Sequence, residues 1–596
     1  MRPQPLVASP TVTPTTGPLP SLVGDSGTFR AEIARTRPEP GLELITVTLT
    51  AERAARPPAL TLTWNEPLVN VAAYWTTSAG SVKPLHADWA GGWVSAKATS
   101  QAPVVCLISG GGDNRLCIAC SDALHHTRIK SGVVEESGEL VSQVRLFGGA
   151  RAEAARFEVV VRIDRRSVRF ERALGEVSTW WDSACGYKPA PVPVIARLPM
   201  YSTWYSFHQP LDTAAVEEQC RIAKGLGCAA VIVDDGWQTM DAGRGYAYCG
   251  DWRPERIPDM AGHVARVHAL GMKFLLWYSV PYVGIHSRAF QQFRSRLLRI
   301  DDGIKAGVLD PRFPEVREHL IATWEKAVAE WDLDGLKLDF VDSFSDGGEP
   351  AEGAVGGRDL ANIDEAVDRL LSQALARLRA RKPDFLIEFR QSYIGPVMRT
   401  YGNMFRAGDC PADALRNRTS TVDIRLLCGD TACHGDMLMW HPAEPVESAA
   451  LQLTAVLFSV PQISVRLDRI PEEHREMVGF YLAFWREHRD ALLDGELRAE
   501  SPELGYPLVA AAIAGKRVAV AYAAVTVPLG SERDTRLVNA TRGDQLTVSC
   551  ARDLGERRVR VHDCRGRLVS DGQRRFAAGA HALAVPPAGI ASISPA

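Results

Sequence analysis

The feature that most constrains this chain is a series of eight short apolar runs, at 201–207, 229–237, 273–280, 335–344, 385–392, 404–410, 434–440 and 462–467. Each has the length of a strand buried on both faces, and amphipathic stretches of helical period separate them. Eight such units in about 270 residues match a (β/α)8 barrel, which takes about 250. A doubly wound sheet is the alternative. It would carry a glycine-rich phosphate loop after its first strand, and residues 201–209 hold none.

The flanks read differently. Residues 42–170 contain short strand-like runs at 44–50, 60–64, 104–109, 140–147 and 157–170, split by turn residues, which is the pattern of a β-sandwich. Gly110-Gly111-Gly112-Asp113-Asn114 lies between two of these runs; with no GK[ST] following, it reads as a hairpin turn rather than a phosphate cradle. The proline-rich 189–199 reads as a linker, and 497–596 returns to short strands such as 517–523 and 557–563. The expected fold is α/β, a (β/α)8 TIM barrel at 195–492 flanked by an N-terminal β-sandwich at 26–190 and a smaller C-terminal one at 495–596. The Pro/Thr-rich 1–25 reads as a disordered leader without the pattern of a signal peptide.

Composition narrows the partners. Lys+Arg 68 against Asp+Glu 71 gives a net charge of −3, so the basic surplus that nucleic acid binding requires is missing. The longest apolar runs, such as 518–525, fall far short of the ~20 residues that span a bilayer, so no membrane is expected as a partner. The 12 cysteines are scattered and make no disulfide framework; Cys117 and Cys120 form a lone CxxC and read as small buried thiols, which points to the cytoplasm. Only 11 of the 68 basic residues are lysine, which makes any lysine inside an apolar run conspicuous.

One such lysine is Lys337. In a barrel the C-terminal strand ends form the active face, and here nearly every strand ends in polar residues: Asp234-Asp235-Gly236-Trp237, Trp277, Lys337-Leu338-Asp339, Glu388-Phe389-Arg390 and Arg406-Ala407-Gly408-Asp409. Lys337 and Asp339, two apart on a strand, point to the same side, as a structural ion pair or as part of a site. Buried pairs stabilise weakly compared with apolar replacements, which favours the site. Asp234-Asp235 reads as a helix cap or turn, as at Asp301-Asp302-Gly303, or as a ligand-facing pair; the strand before it and Trp237 after it favour the second. Trp237, Trp252 and Trp277 are core aromatics or platforms for sugar rings. Two carboxylates on different strands are what glycoside hydrolysis needs.

Taken in order, Asp234-Asp235-Gly236-Trp237, Gly250-Asp251-Trp252, Leu270-Gly271-Met272-Lys273-Phe274 leading to Trp277, Lys337-Leu338-Asp339-Phe340 and Gly408-Asp409-Cys410-Pro411-Ala412-Asp413 resemble the α-galactosidases of glycoside hydrolase family 36. The resemblance covers the barrel and the segment from Pro471 to Asp490. It implies a retaining enzyme that cleaves a terminal α-linked galactose or galactose-like sugar from a glycoside or oligosaccharide. Asp339 would be the nucleophile, forming a covalent glycosyl-enzyme, and Asp409 the general acid and then the base. Asp234 and Asp235, with Lys337 beside them, would hold sugar hydroxyls, and Trp237, Trp252 and Trp277 would wall the pocket. No metal or organic cofactor is implied, because two carboxylates suffice; a homo-oligomer is compatible with the sequence. Lys337 should help to keep Asp339 ionised, whereas Asp409 should have a raised pKa. Asp413 is the rival acid, but Asp409 directly follows the strand.

The chain departs from the family at two places. Arg390 stands where a cysteine is usual, and Gly408 where a serine is usual, with one extra residue before Asp413. Arg390 reads either as a fork for a carboxylate or sulfate on the substrate or as a partner of Asp409, Asp430 or Asp436. Asp436 itself is a further sugar contact or a loop ion pair. Open alternatives are a glycosidase for N-acetylgalactosamine, arabinopyranose or galacturonic acid, a transglycosidase, and a non-catalytic carbohydrate-binding barrel.

Overall fold

A computed structural model describes residues 19–77, 80–345 and 356–596. Its central sheet has eight parallel strands: β1 Met200–Ser202, β2 Ala230–Val233, β3 Lys273–Ser279, β4 Gly335–Asp339, β5 Leu386–Arg390, β6 Met404–Arg406, β7 Ala432–His434 and β8 Gln462–Ile463. They run in the order β7-β6-β5-β4-β3-β2-β1-β8, and bridges from His434 to Val460 and from Leu438 to Ile463 bring the two ends together. The barrel read from the sequence is present.

Among the described residues seven helices surround it: α1 Thr213–Leu226, α2 Met260–Ala269, α3 Pro314–Trp331, α4 Ile363–Arg381, α5 Ala414–Leu427, α6 Val446–Ala455 and α7 Glu472–Glu487. Between β5 and β6 there is only a short 3-10 turn, Met398–Thr400. Side chains of Asp212, Asp259, Asn362 and Asp413 accept from the first-turn N–H groups of α1, α2, α4 and α5, which fixes where those helices start.

Because parallel strands alternate their side chains, the barrel interior is stacked in layers. The floor is apolar: Met200, Ala230, Ile232, Leu275, Leu386, Met404 and Ala432 pack with Ala196 of the linker, which plugs the bottom. Higher up, Lys337, Glu388, Arg406, His434 and Gln462 point inward and are all buried. Barrel interiors are usually filled by branched aliphatic side chains. This one is charged.

The first sandwich has a five-stranded and a six-stranded sheet over one apolar core, and the glycine run at 110–112 turns between Val104–Ile108 and Asn114–Cys120 as expected. Seven- and three-stranded sheets form the C-terminal sandwich. A buried carboxylate ties both to the barrel: Asp423 of α5 accepts from Lys83 Nζ at 2.6 Å, Trp75 Nε1 at 2.8 Å and Tyr506 OH at 2.6 Å.

Three expectations need correction. The run at 157–170 is a strand only over Ala154–Asp164, because Arg166 folds back on Asp164 and turns the chain, so that Phe170 opens the helix Phe170–Ser183. Within the supposed leader, Ser21–Val23 is an edge strand on Leu60–Pro67, too short to show a period; residues 1–18 lie outside the described residues. The seventh strand lies at 432–434 rather than 434–440. Past His434 the chain leaves β7 at Gly435, which is packed on Val456, and rejoins the sheet as a single bridge from Leu438 to Ile463, while Trp440 beyond it donates from Nε1 to His474 Nδ1 at 3.1 Å. Among the described residues no helix is long and apolar enough to cross a membrane, and all twelve cysteines are free, Cys117 and Cys120 being buried.

Candidate active site

Strand register decides which side chains meet at the barrel mouth. Lys337 is level with Glu388, so Asp339 and Arg390, two residues further along each strand, are level as well, and Ser279 of β3 is level with Asp339. Asp339 is 6% exposed. Its Oδ1 accepts from Arg390 Nε at 2.7 Å, Tyr393 OH at 2.8 Å and the Phe340 N–H at 2.8 Å, whereas Oδ2 accepts from Trp277 Nε1 at 3.1 Å. Burial pushes the Asp339 carboxyl upward, but the charges of Arg390 and Lys337 outweigh it and hold the group well below the usual carboxylate range. Arg390 donates from Nη1 to Gln391 O at 2.9 Å and lies over the rings of Phe340 and Tyr393. Its carboxylate partner is therefore Asp339, and not Asp409, Asp430 or Asp436.

Lys337 Nζ contacts Asp234 Oδ2 at 2.5 Å, and Asp234 Oδ1 accepts the Asp235 N–H at 2.9 Å. Burial pushes the Lys337 ammonium down, but Asp234, Asp339 and Glu388 together outweigh that and hold it above its ordinary value. Asp235 is tied by Gln209 Nε2 at 2.8 Å and Gln238 Nε2 at 2.7 Å, and burial raises its carboxyl to about 6 against the pull of both amides.

The third cluster centres on Arg406, 1% exposed. It donates to Asp436, and from Nη2 to Asp409 Oδ1 at 2.9 Å, with Nε 3.6 Å from Glu388 Oε1. Asp436 also accepts from Tyr205 OH at 2.9 Å and the Cys410 N–H at 2.7 Å, so its carboxylate is committed to the loops around it. The ion pair expected as an alternative for Asp436 is present. Asp409 presents 48% of its side chain to solvent. Burial pushes its pKa upward, but Arg406, Lys337 and Arg390 outweigh that and lower it. This overturns the expectation of a raised pKa in the free protein. Cations on three neighbouring strands, β4, β5 and β6, converge on the group, and the spacing along one strand could not reveal that. Asp413, the rival acid, is exposed and caps α5.

Of the tryptophans, Trp277 touches Asp339. Trp237 lies behind it, fully buried, donating to Trp277 O at 2.9 Å and packing on Trp331 and Trp252. Trp252, 7% exposed, is stacked on Trp237 and meets Trp277 edge to face. The ring wall nearest Asp339 is instead Tyr246, Trp277, Tyr282 and Phe340. Tyr246, Tyr282, Tyr393, Tyr205, Gln209 and the central place of Arg406 among the carboxylates were not identified from the sequence. The N-terminal sandwich also reaches the site: the Gln101 N–H donates to Ser392 O at 2.8 Å, and Lys97 Nζ to Phe344 O at 3.3 Å. Among the described residues no group of three or more His, Cys, Asp and Glu side chains is placed to hold a metal ion.

Fold and site define a (β/α)8 barrel set between two β-sandwiches, with carboxylates and cations at its C-terminal mouth. Solved structures similar to this chain include glycoside hydrolase family 36 α-galactosidases. The enzyme of Geobacillus stearothermophilus in complex with raffinose superposes with a TM-score of 0.61 at 13% identity, over 93% of this chain and 79% of its own. The α-galactosidase of Lactobacillus brevis gives 0.59 at 16% identity over 97% and 83%. The galactosidase domain of an α-galactosidase–sucrose kinase gives 0.60 at 13% identity over 97% and 83%. The likeness is one of fold. No family model matches the sequence, and no curated protein matches it.

Proposed function

We propose that this chain is a retaining glycoside hydrolase that removes a terminal α-linked galactose, or a galactose-like sugar, by double displacement. The observation that carries the reading is the unequal hold on Asp339, three donors on Oδ1 against one on Oδ2. A carboxylate fixed and kept ionised through one oxygen leaves lone pairs on the other free to react. In the first step Asp339 Oδ2 attacks the anomeric carbon, the bond from that carbon to the leaving oxygen breaks, and the leaving oxygen takes the proton of Asp409. A water then gives its proton to Asp409, attacks the same carbon and frees Asp339.

Asp409 must be protonated for the first step. A sugar seated over its half-exposed carboxyl removes water from it and drives the pKa up from the low value of the free protein. Once Asp339 is an ester its negative charge is gone, the upward push that it exerts on Asp409 ends, and Asp409 becomes the base that the second step needs. Arg390, committed to Asp339, serves the nucleophile rather than an anion on the substrate. Galactose is favoured by the α-galactosidases that share the fold, some crystallised with raffinose or stachyose. Twelve free cysteines favour the cytoplasm.

The test is a panel of aryl α- and β-glycosides of galactose, N-acetylgalactosamine, arabinopyranose and galacturonic acid. The α-galactoside should be cleaved best, with the α-anomer as first product by NMR. Asp339→Asn should keep the wild-type circular dichroism spectrum and lose on the order of 10³-fold or more in kcat/KM. Wild-type turnover in that variant would remove Asp339 from its role.

A further inference from the structure

The active site uses none of the cysteines as a reacting group, yet two sets of neighbours stand out. Cys106 and Cys117 face each other across adjacent strands of the first sandwich, with their thiols in contact. Cys428 and Cys433 flank the turn from α5 to β7, where the Cys428 thiol donates to Gly429 O at 3.7 Å and the Cys433 thiol to Thr421 O at 3.3 Å. The surroundings differ. Cys106 and Cys117 are both 0% exposed within apolar strands. Cys428 and Cys433, at 3% and 5%, line a cavity of about 660 Å³ where the helix Phe170–Ser183, the floor end of the barrel and the strand Glu496–Glu500 meet.

That cavity is lined by five arginines and four carboxylates, and an arginine stands close to the turn. Arg425 lines it, its guanidinium met by the backbone carbonyls of Phe458, Leu492 and Gly495 rather than by a carboxylate. Arg399 holds the turn from the other side, with Nε on Thr431 Oγ1 at 3.2 Å and its guanidinium tight against Gly429, where a Cβ would come within 2.4 Å of Nη2. The neighbouring Cys433 lowers the Cys428 thiol below its ordinary value against the effect of burial, and the charges of Arg399 and Arg425 pull in the same direction. A thiol beside guanidinium groups and open to a cavity is the reactive kind, whereas one sealed in an apolar core is inert.

We infer that Cys428 and Cys433 are a dithiol site for hydroperoxides, with Cys428 as the attacking sulfur. The Cys428 thiolate attacks one oxygen of the hydroperoxide, the O–O bond breaks, an alcohol or water leaves with a proton, and Cys428 becomes a sulfenic acid. The Cys433 sulfur then attacks the Cys428 sulfur and displaces hydroxide, which leaves as water with the Cys433 proton. Two thiols are oxidised by two electrons to one disulfide, and the hydroperoxide is reduced to alcohol or water plus water.

The experiment treats the native full-length chain with a few equivalents of hydrogen peroxide, blocks free thiols, and maps non-reduced peptides by mass spectrometry. A Cys428–Cys433 linked peptide that dithiothreitol reverses is expected, while Cys106 and Cys117 remain free to alkylate after unfolding. In Cys433→Ser the sulfenic acid should persist on Cys428 and be captured by dimedone. Absence of the linked peptide in the wild-type protein overturns the site, whatever the variants do. Equal oxidation of Cys106 and Cys117 overturns it too, because the cavity and its arginines would then contribute nothing.

Discussion

The floor of the barrel and the layers above it stand on the same strands and obey the same two-residue alternation, yet they are built from opposite materials. Below, Met200, Ile232, Leu275, Leu386 and Met404 are buried against each other and against Ala196. Their stabilisation scales with apolar area, about 25 cal/mol per Å², and is indifferent to pH. Above, Lys337, Glu388, Arg390, Arg406, Asp339 and Asp436 carry charge into the same cylinder, each against an opposite partner. A buried ion pair at best breaks even with apolar residues of the same volume. The difference teaches that the floor holds the barrel together, and that the charged layers are tolerated only on condition that every pair stays complete.

The strongest way to break that condition is Arg406→Met. It strands Glu388 and Asp436 in the interior, for which a cost of about 3–5 kcal/mol is expected in urea unfolding at pH 7. Leu386→Ala in the floor should cost about 2–5 kcal/mol through its cavity. Magnitude therefore does not separate the two variants, and pH does. Burial already holds the pKa values of Glu388 and Asp436 above their ordinary values with Arg406 in place. Without the arginine they rise further, and a group raised in the folded state destabilises above that pKa and not below the unfolded one. The Arg406→Met deficit should shrink as pH falls toward 4, whereas the Leu386→Ala deficit should stay constant. A pH-independent deficit in both variants would mean that the charged layer behaves as ordinary packing.

The same contrast explains what could be read in advance. The floor and the strand positions were legible because a doubly buried strand is an apolar run, and Lys337 with Asp339 because alternation along one strand is a local rule. The pairings between strands were not legible. Arg390 meets Asp339 only because Lys337 and Glu388 are in register, a fact set by the sheet and not by either segment. The same holds for Arg406, whose partners come from β5, from its own loop and from the chain after β7. Tyr393 arrives on a loop and Tyr205 on the single helical turn Trp204–Phe207, both too short for a period to mark the side that faces the site. Trp237 and Trp252 were legible as aromatics beside carboxylates, but that they pack directly on each other and against Tyr278 was not, because the contact joins separate segments.

A smaller effect sharpens the comparison within the charged layer itself. Asp235 has no cation on it, only two amides, and burial raises its carboxyl from 3.8 to about 6. A carboxyl raised in the folded state favours folding while protonated, so this contribution is present below about 4 and is lost as pH rises through about 6. Two units correspond to about 3 kcal/mol. Asp235→Asn cannot ionise, so thermal melting from pH 4 to pH 7 should move the difference between variant and wild type in the variant's favour by up to that amount. A flat difference would mean that Asp235 is as well compensated as Asp339.

The smallest effect concerns one hydroxyl. Tyr205 donates to Asp436 Oδ2, which also takes the Cys410 N–H, while Arg406 takes Oδ1. Tyr205→Phe removes one of these donors and leaves the ion pair, so about 1 kcal/mol of stability should be lost. The Cys410 N–H adjoins Asp409, and Arg406 holds Asp409 with its other nitrogen, so the phenol supports the proposed acid at one remove. If that support counts, Tyr205→Phe should lower kcat on the aryl α-galactoside several-fold and shift the alkaline limb of its pH profile, with KM little changed. A loss of stability alone, with the pH profile unmoved, would place Tyr205 with the floor, as scaffolding, although it stands among the charges.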